Sequence, residues 1–317
     1  MNISIVLCTY NGSRYLKAQL ESIVSQECLV MVQIIIFDDC STDGTQEIIE
    51  GYSSVFRAKG WKVSLRYRVL NVGYIQNFTD AILLAEGDVV LFSDQDDVWM
   101  PSRIHDVLVL FNTDVELVLV HSDAALIDAN DHCLGRTIFD QLKVSPFERY
   151  LLHSGQHVTA FLNRNLVTGA TMAVRRDVLA AALPVPSGWI HDEWIALYCS
   201  LFGKCLTLSQ GFIRYRTHSS NTVGLGDPAP TIRRSIIREN KLKYIDSRLQ
   251  KLDFALARKD ISGEACRTLL SHREFLGLRG DTIRLRLPRR LLRLVISAPR
   301  YFRHPGGFKK LVSDAVF

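Results

Sequence analysis

The feature that most limits what this chain can fold into lies near its start, where β-branched runs alternate with helix-patterned stretches. Ile3–Cys8 is strand-like and stops at Thr9-Tyr10-Asn11-Gly12-Ser13, after which Leu16, Leu20, Ile23 and Val24 share one helical face. Val32–Phe37 predicts a second strand, stopped by Asp38-Asp39-Cys40-Ser41-Thr42-Asp43-Gly44. Ser41 or Thr42 is the expected cap of the next helix, which carries Ile48 and Ile49. Val63–Val69 reads as a third strand and Asn71-Val72-Gly73 as a turn. Asn77–Ala85 reads as a helix that Gly87 suits to stop, and Asp88–Ser93 as a fourth strand. Strands alternating with helices require parallel crossovers, hence an α/β sheet covered on both faces. Ligands of such sheets gather at the carboxyl ends of strands. Three of these ends carry polar loops: Thr9–Ser13, Asp38–Gly44 and Asp94–Asp97.

At 317 residues the chain can bury a large core and a smaller appendage. Its second half is less regular. Val115–Val120 is a strand candidate, Leu166–Val174 holds another around Gly169-Ala170-Thr171-Met172, and Asp192–Leu201 predicts a helix. Beyond Pro230, Ile236, Ile237, Leu242, Ile245 and Leu249 recur at helical spacing. Residues 231–317 hold 21 Lys and Arg against 8 Asp and Glu, of totals 38 and 33, so an acidic body carries a basic tail. Gly224-Leu225-Gly226-Asp227-Pro228-Ala229-Pro230 reads as the linker between them. The sequence enters a strand with no basic leader, and no stretch reaches the ~20 apolar residues that span a bilayer, so a cytoplasmic protein is expected. Cys8, Cys28, Cys40, Cys133, Cys199, Cys205 and Cys266 show no paired spacing and read as buried reduced thiols.

The strongest chemical cluster is Phe92-Ser93-Asp94-Gln95-Asp96-Asp97-Val98-Trp99. Its crowded carboxylates repel one another, and a divalent cation bridging them to a diphosphate relieves that repulsion. Hard oxygen ligands suit Mg²⁺ or Mn²⁺; the bland alternative is a solvated acidic turn. Asp38-Asp39 forms a second cluster. A carboxylate there can accept a pyrimidine imide N–H or a ribose hydroxyl proton, or simply build the turn.

Together these segments resemble the inverting glycosyltransferases of family 2, which have an A-type glycosyltransferase fold. The matching residues are Cys8–Gly12, Asp38–Thr45, Asn71-Val72-Gly73 with Asn77-Phe78, and Glu86-Gly87-Asp88 leading into Asp94–Asp97. The resemblance implies a Rossmann-like, mostly parallel sheet with a helical C-terminal region. It implies a catalytic domain over 1–222, its nucleotide-sugar half at 1–125 and its acceptor half at 126–222, followed by a basic helical region over 231–317. By match, Thr9, Asp39 and Asn71 would contact the nucleotide and Asp94 its ribose. Asp96 would be the main metal ligand, with Asp97 supporting it. Gln95 departs from the small residue usual at that point.

The same resemblance puts a catalytic base in Gly188-Trp189-Ile190-His191-Asp192-Glu193-Trp194, where His191 replaces the usual Glu. Asp192 is the expected base and Glu193 the fallback; burial beside aromatics raises a carboxylate's proton affinity as a base requires. Helix capping by Asp192 is the structural alternative. In Arg214–Asn221, His218 would complete the metal shell or bond a phosphate, and Arg214 or Arg216 would neutralise the leaving group; an ordinary core or surface role for His218 stays open. Asn165 and Gly169–Met172 would shape the acceptor cleft. Arg284–Ile296 mixes charge with apolar residues as an interfacial helix does. An anionic membrane surface is therefore one partner expected for the tail, and a plain helical subdomain is the alternative. No nucleic-acid motif appears there.

The expected activity is metal-dependent transfer, with inversion, from a nucleotide-diphosphate sugar to a glycan or lipid-linked glycan acceptor. The wording Ser-Asp-Gln-Asp-Asp-Val-Trp is similar to rhamnosyltransferase-like sequences and implies dTDP-L-rhamnose, with Trp99 or Trp189 facing the sugar's deoxy position. The rivals are a UDP-hexose donor, a haloacid-dehalogenase-type phosphatase reading of Asp94–Val98, and a non-catalytic nucleotide- or glycan-binding scaffold. A nicotinamide dehydrogenase is disfavoured, because no GxGxxG follows the first strand.

Overall fold

A computed structural model of the chain describes residues 1–218, 234–285, 287–304 and 306–316. Ser219, Ser220, Asn221, the Gly224–Pro230 segment, Arg286 and the side chains of Ile236, Ile237 and Pro288 lie outside the described residues. The strands are β1 (Ile3–Thr9), β2 (Val32–Asp38), β3 (Lys62–Tyr67), β4 (Val89–Ser93), β5 (Val98–Trp99) and β6 (Leu117–Ser122). They continue with β7 (Ala125–Ile127), β8 (Cys133–Thr137), β9 (Ala173–Arg175), β10 (Lys204–Leu208) and β11 (Ile213–Arg216). The helices of the first part are α1 (Ser13–Val24), α2 (Thr45–Ala58), α3 (Tyr74–Ile82), α4 (Arg103–Thr113) and α5 (Ile138–Gln141). After them come α6 (Pro146–His153), α7 (His157–Asn163), α8 (Arg176–Ala182) and α9 (His191–Phe202). Four more follow: α10 (Arg234–Leu256), α11 (Gly263–Arg284), α12 (Leu287–Phe302) and α13 (Gly307–Val316).

The chain divides into two compact units, Met1–Val185 with Ile190–Leu225, and Pro186–Trp189 with Gly226–Phe317. The first is built on a 7-stranded sheet of order β10-β6-β9-β4-β1-β2-β3. Its pairings are parallel except where β9 runs antiparallel between β4 and β6. This is the mostly parallel α/β sheet the sequence predicts. Strands β1, β2, β4 and β6 are buried along their whole length, as apolar runs covered on both faces must be. Gly87 sits where a side chain would collide with the backbone of Ile3 and Ser4. Its role is close approach to β1 rather than helix termination, because α3 has already ended at Ile82.

Two local expectations are corrected. Gly169–Thr171 forms a 3₁₀ turn and the strand begins only at Ala173, because the Gly169 N–H is turned toward Asp192 instead of a ladder. Ser41 and Thr42 do not cap α2, which opens after Gly44 in a left-handed conformation (φ 90°). The Ser41 hydroxyl is spent on Asp38, and the Thr42 N–H reaches Asn11 Oδ1 at 2.9 Å. The cysteines are free, as expected, but only Cys8, Cys199 and Cys205 are buried; Cys133 is exposed.

A second, 4-stranded sheet of order β5-β11-β7-β8 lies in the same unit. Its β5 is only Val98-Trp99, directly after the acidic cluster, and it pairs antiparallel with β11. That pairing brings residues 213–218 to the end of β4. The helical unit has its own core of Phe275, Leu278, Leu294 and Tyr301, against which Leu311 and Ala315 pack. Among the described residues no helix is long and apolar enough to cross a membrane.

Candidate functional site

Three loops meet at the carboxyl ends of β1, β2 and β4, held together by side chains within the loops themselves. Thr9 is buried and its hydroxyl donates to Asp38 Oδ2 at 2.8 Å. Asp38 also accepts the Ser41 N–H at 2.9 Å and the Gln46 carboxamide at 2.8 Å, so the first Asp of the pair locks the turn. Asp39 reaches across to the next loop. Its two carboxylate oxygens accept the N–H groups of Val72 and Gly73, each at 2.8 Å. Asn71 returns the contact, donating to the Asp39 carbonyl at 3.2 Å and accepting the Gly73 N–H at 3.1 Å. Thr9, Asp39 and Asn71 thus tie the loops after β1, β2 and β3 to one another.

Gln95, the departure within the acidic cluster, has a structural account. Its carboxamide accepts the Tyr10 N–H at 2.9 Å and donates to the Tyr10 carbonyl at 3.1 Å, tying the β1 and β4 loops together. It lies over Gly12, where any Cβ would collide with it.

Asp96 and His218, separated by 121 intervening positions in the chain, meet with Asp96 Oδ2 and His218 Nε2 2.9 Å apart. The His218 ring stacks on Tyr15, centroids 4.7 Å apart. Asp97 is fully buried; its Oδ1 accepts the Arg216 N–H at 3.0 Å, and its Oδ2 has no partner among the described residues. Burial first, then the charges of Asp96 and Asp94, push Asp97 well above the usual carboxylate range. Burial, then Asp96 and Asp192, push Asp94 up to about 7. Such a crowded set is what a divalent cation relieves. A carboxylate oxygen beside an imidazole nitrogen fits Mn²⁺ or Mg²⁺ that completes its shell with diphosphate and water. Among the described residues no group of three or more His, Cys, Asp or Glu is placed to hold a metal ion, so Asp96 and His218 are a pair.

The two late arginines part ways. Arg216 is buried and committed to the protein: it donates to the carbonyls of Asp96 (2.6 Å) and Asp128 (3.2 Å) and to the Asp131 carboxylate (2.7 Å). It therefore braces the acidic loop instead of reaching for a leaving group. Arg214 is exposed on β11.

Asp192 lies in the first turn of α9. Its carboxylate accepts the N–H of Glu193 at 2.6 Å, that of Gly169 at 3.2 Å and the Asn165 amide at 3.4 Å. Burial outweighs these bonds and raises it to about 6. Glu193 points into the interior and is buried. His191 is stacked on Phe78 at 4.4 Å, neither ring nitrogen has a partner among the described residues, and burial lowers it to about 4, so a neutral ring adjoins Asp192. Asp192 feeds into the upward shift of Asp94, so the two carboxyls share one electrostatic environment.

Arg103 is the residue the sequence pattern did not single out. It opens α4 fully buried, over the Trp99 ring at 3.9 Å, and donates to the carbonyls of Phe92 at 3.1 Å and Ala170 at 2.8 Å. It thereby joins the end of β4 to the turn that holds Asp192. Its charge also lowers the shifts of Asp94 and Asp97. The signal in sequence was an Arg heading a helix just after the acidic cluster, a place where surface residues are common. The sugar-facing role expected for Trp99 or Trp189 does not hold. Trp99 is buried beneath Arg103, and Trp189 is buried in the helical unit with its Nε1 donating to the Lys251 carbonyl at 2.9 Å.

Residues 4–182 match the profile of the family described as Glycosyl transferase family 2. The chain is 30% identical over 225 residues to an uncharacterized glycosyltransferase of Nostoc sp., covering 70% of this chain and 66% of that one. It is 25% identical over 223 residues to an uncharacterized protein of Mycobacterium tuberculosis, covering 68% and 59%. The chain therefore spans less than two thirds of the length of these curated relatives. Staphylococcus aureus TarS 1–349 in complex with UDP-GlcNAc has a TM-score of 0.56 at 16% identity, covering 99% of this chain and 89% of that one. A Pyrobaculum calidifontis mannosyltransferase in complex with GDP-Man and Mn²⁺ has a TM-score of 0.52 at 14% identity, covering 99% and 86%. These likenesses show the fold, which is the A-type one the sequence led us to expect.

Proposed function

This chain belongs to glycosyl transferase family 2, and on that premise we propose that it moves a sugar, with inversion and metal dependence, from a nucleotide-diphosphate donor to a polysaccharide or lipid-linked glycan. The observation that carries the reading is the Asp96–His218 contact at the end of β4 in a site whose neighbour Asp94 feels the charge of Asp192. A cation pair of ligands and a desolvated base in one environment suit a reaction that needs charge neutralised on one side and a proton taken on the other.

Residues 1–125 are assigned the donor and 126–222 the acceptor. The loops pinned by Thr9, Asp39 and Asn71 would seat the nucleotide with Asp94 toward its ribose, and Asp96 and His218 would hold Mn²⁺ or Mg²⁺, supported by Asp97. A cation held there would offset the charge growing on the departing diphosphate. Asp192 takes the acceptor hydroxyl proton as that oxygen bonds to the anomeric carbon and the bond to the diphosphate breaks. Attack from the face opposite the leaving group inverts the centre. Glu193 is the second choice for base, its burial counting against it, and exposed Arg214 remains available to phosphate.

The donor we assign is dTDP-L-rhamnose, on the likeness of Ser93–Trp99 and His191–Trp194 to rhamnosyltransferase-like sequences. A UDP-hexose is the second reading, favoured by the fold neighbour solved with UDP-GlcNAc. Base choice is leaky, because a thymine methyl is worth only about 0.8 kcal/mol when buried. The phosphatase reading is set aside, since the family match also accounts for the loops after β1 and β2. A lipid-linked acceptor puts the reaction at the cytoplasmic face of an anionic membrane, with no nucleic acid involved. Competition among dTDP-rhamnose, UDP-glucose and UDP-galactose with Mn²⁺ tests the donor. A UDP-sugar transferred on the order of tenfold better removes rhamnose, whereas tight metal-dependent binding with no transfer of any sugar favours the scaffold.

A further inference from the structure

Helix α12 presents three distinct faces. Arg290, Leu294, Ser297 and Tyr301 are buried, and Leu294 and Tyr301 join the core of the helical unit. At 3.6 residues per turn, Leu287, Leu291, Val295 and Phe302 form a second stripe flanked by Leu292 and Ile296. These six are exposed, Val295 by 74% and Ile296 by 68%. Arg289, Arg293 and Arg300 form a third stripe, also exposed. Helix α13 extends the apolar stripe, since the rings of Phe302 and Phe308 stack at 6.5 Å and Phe308 and Val312 are exposed.

A docked helix normally turns polar residues outward on everything it does not bury, so a contiguous exposed apolar stripe marks a binding surface. Charge identifies the occupant. Between Asp281 and Asp314 the sequence has no acid and nine Lys or Arg. An aliphatic and aromatic stripe alongside arginines is the geometry of a helix lying in a lipid interface, apolar side chains among acyl chains and cations level with headgroup phosphates. Nucleic acid would use the arginines but leave the apolar stripe in water.

We propose that α12 and α13 form the docking face for an anionic lipid bilayer, with Leu291, Leu292, Val295, Ile296, Phe302 and Phe308 entering it. This deepens the acceptor part of the functional reading and rests on that reading only for its purpose, which is to hold the enzyme where a lipid-linked acceptor lies.

Cosedimentation of the full chain with vesicles of phosphatidylcholine and phosphatidylglycerol mixed two to one, against phosphatidylcholine alone, tests the proposal. Binding to the mixed vesicles only, weakening as salt rises, is expected. The double substitution Val295→Asp/Ile296→Asp should lower partitioning by on the order of tenfold or more, and Arg289→Ala/Arg293→Ala by roughly thirtyfold. All four positions are exposed, so circular dichroism and Mn²⁺-dependent nucleotide binding should match the parent. No binding by the full chain at low salt, equal binding to both vesicles, or undiminished binding of the Asp variant overturns the proposal. So does a dimer that Val295→Asp/Ile296→Asp dissociates in a chain that ignores vesicles. Nucleotide binding without vesicle binding refutes the docking face alone; vesicle binding without nucleotide binding refutes the catalytic reading alone.

Discussion

Replacing Asp192 by Asn should make the protein more stable and nearly inactive, and both effects come from the same carboxylate. Burial raises it from an ordinary 3.8 to about 6, against the opposing N–H bonds from Glu193 and Gly169 and the Asn165 amide. Between those values the folded chain keeps a proton that the unfolded chain has released. Stability therefore falls as pH rises through that window and stays lower above it. A shift of about two units at ~1.4 kcal/mol each sets a ceiling of about 3 kcal/mol. The neutral amide escapes that cost, so at neutral pH Asp192→Asn should gain up to that amount, a rise of several degrees in Tm. The gain should shrink by about half near pH 5. Transfer should fall roughly 10²–10⁴-fold, because the amide cannot accept the acceptor's proton. In the parent, kcat/KM should fall tenfold per unit below about 6. Glu193 lies beside Asp192 and its charge adds to the upward push, and the neighbours with shifted values are His191, Tyr74 and Asp94. Burial lowers His191 to about 4 and raises Tyr74, so both are neutral from about pH 5 upward, while Asp94, raised to about 7 in part by Asp192, titrates beside it. Thermal melts across pH and transfer assays on both proteins read the two effects. A variant no more stable than the parent at neutral pH, or a transfer loss of only a few-fold, would refute the reasoning.

Asp96→Asn should abolish Mn²⁺-dependent donor binding with an unchanged melting curve, and His218→Ala should weaken it; calorimetric titration with and without metal reads both. Gly12→Ala should displace the Gln95 carboxamide and break both its bonds to Tyr10, raising the donor Kd by about tenfold, about 1.4 kcal/mol; an unchanged Kd would mean the loops hold without that tie. Arg103→Met should cost about 3–5 kcal/mol in chemical denaturation, because Asp94 and Asp97 lose a buried counter-charge and the carbonyls of Phe92 and Ala170 lose a donor.

The parallel sheet and its polar strand ends were legible in the sequence because period and turn chemistry are local: β1, β2 and β4 are largely apolar runs, and each ends on acids or hydroxyls. The acidic cluster was legible for the same reason, since adjacent carboxylates repel wherever they are placed. What Asp39 does was not legible, because its partners, the Val72 and Gly73 N–H groups, are set by how β2 and β3 lie side by side. Arg216 resembled a free cation in sequence, and only the pairing of β5 with β11 buries it against the Asp96 carbonyl. The tail's mix of arginine and leucine was visible at once. Which leucines face water depends on which side of α12 meets Phe275 and Leu278, because a helix has one geometry but the core chooses the face it buries. Sequence determined the elements and their reactive ends; tertiary packing decided which of those groups are spent on structure and which remain for chemistry.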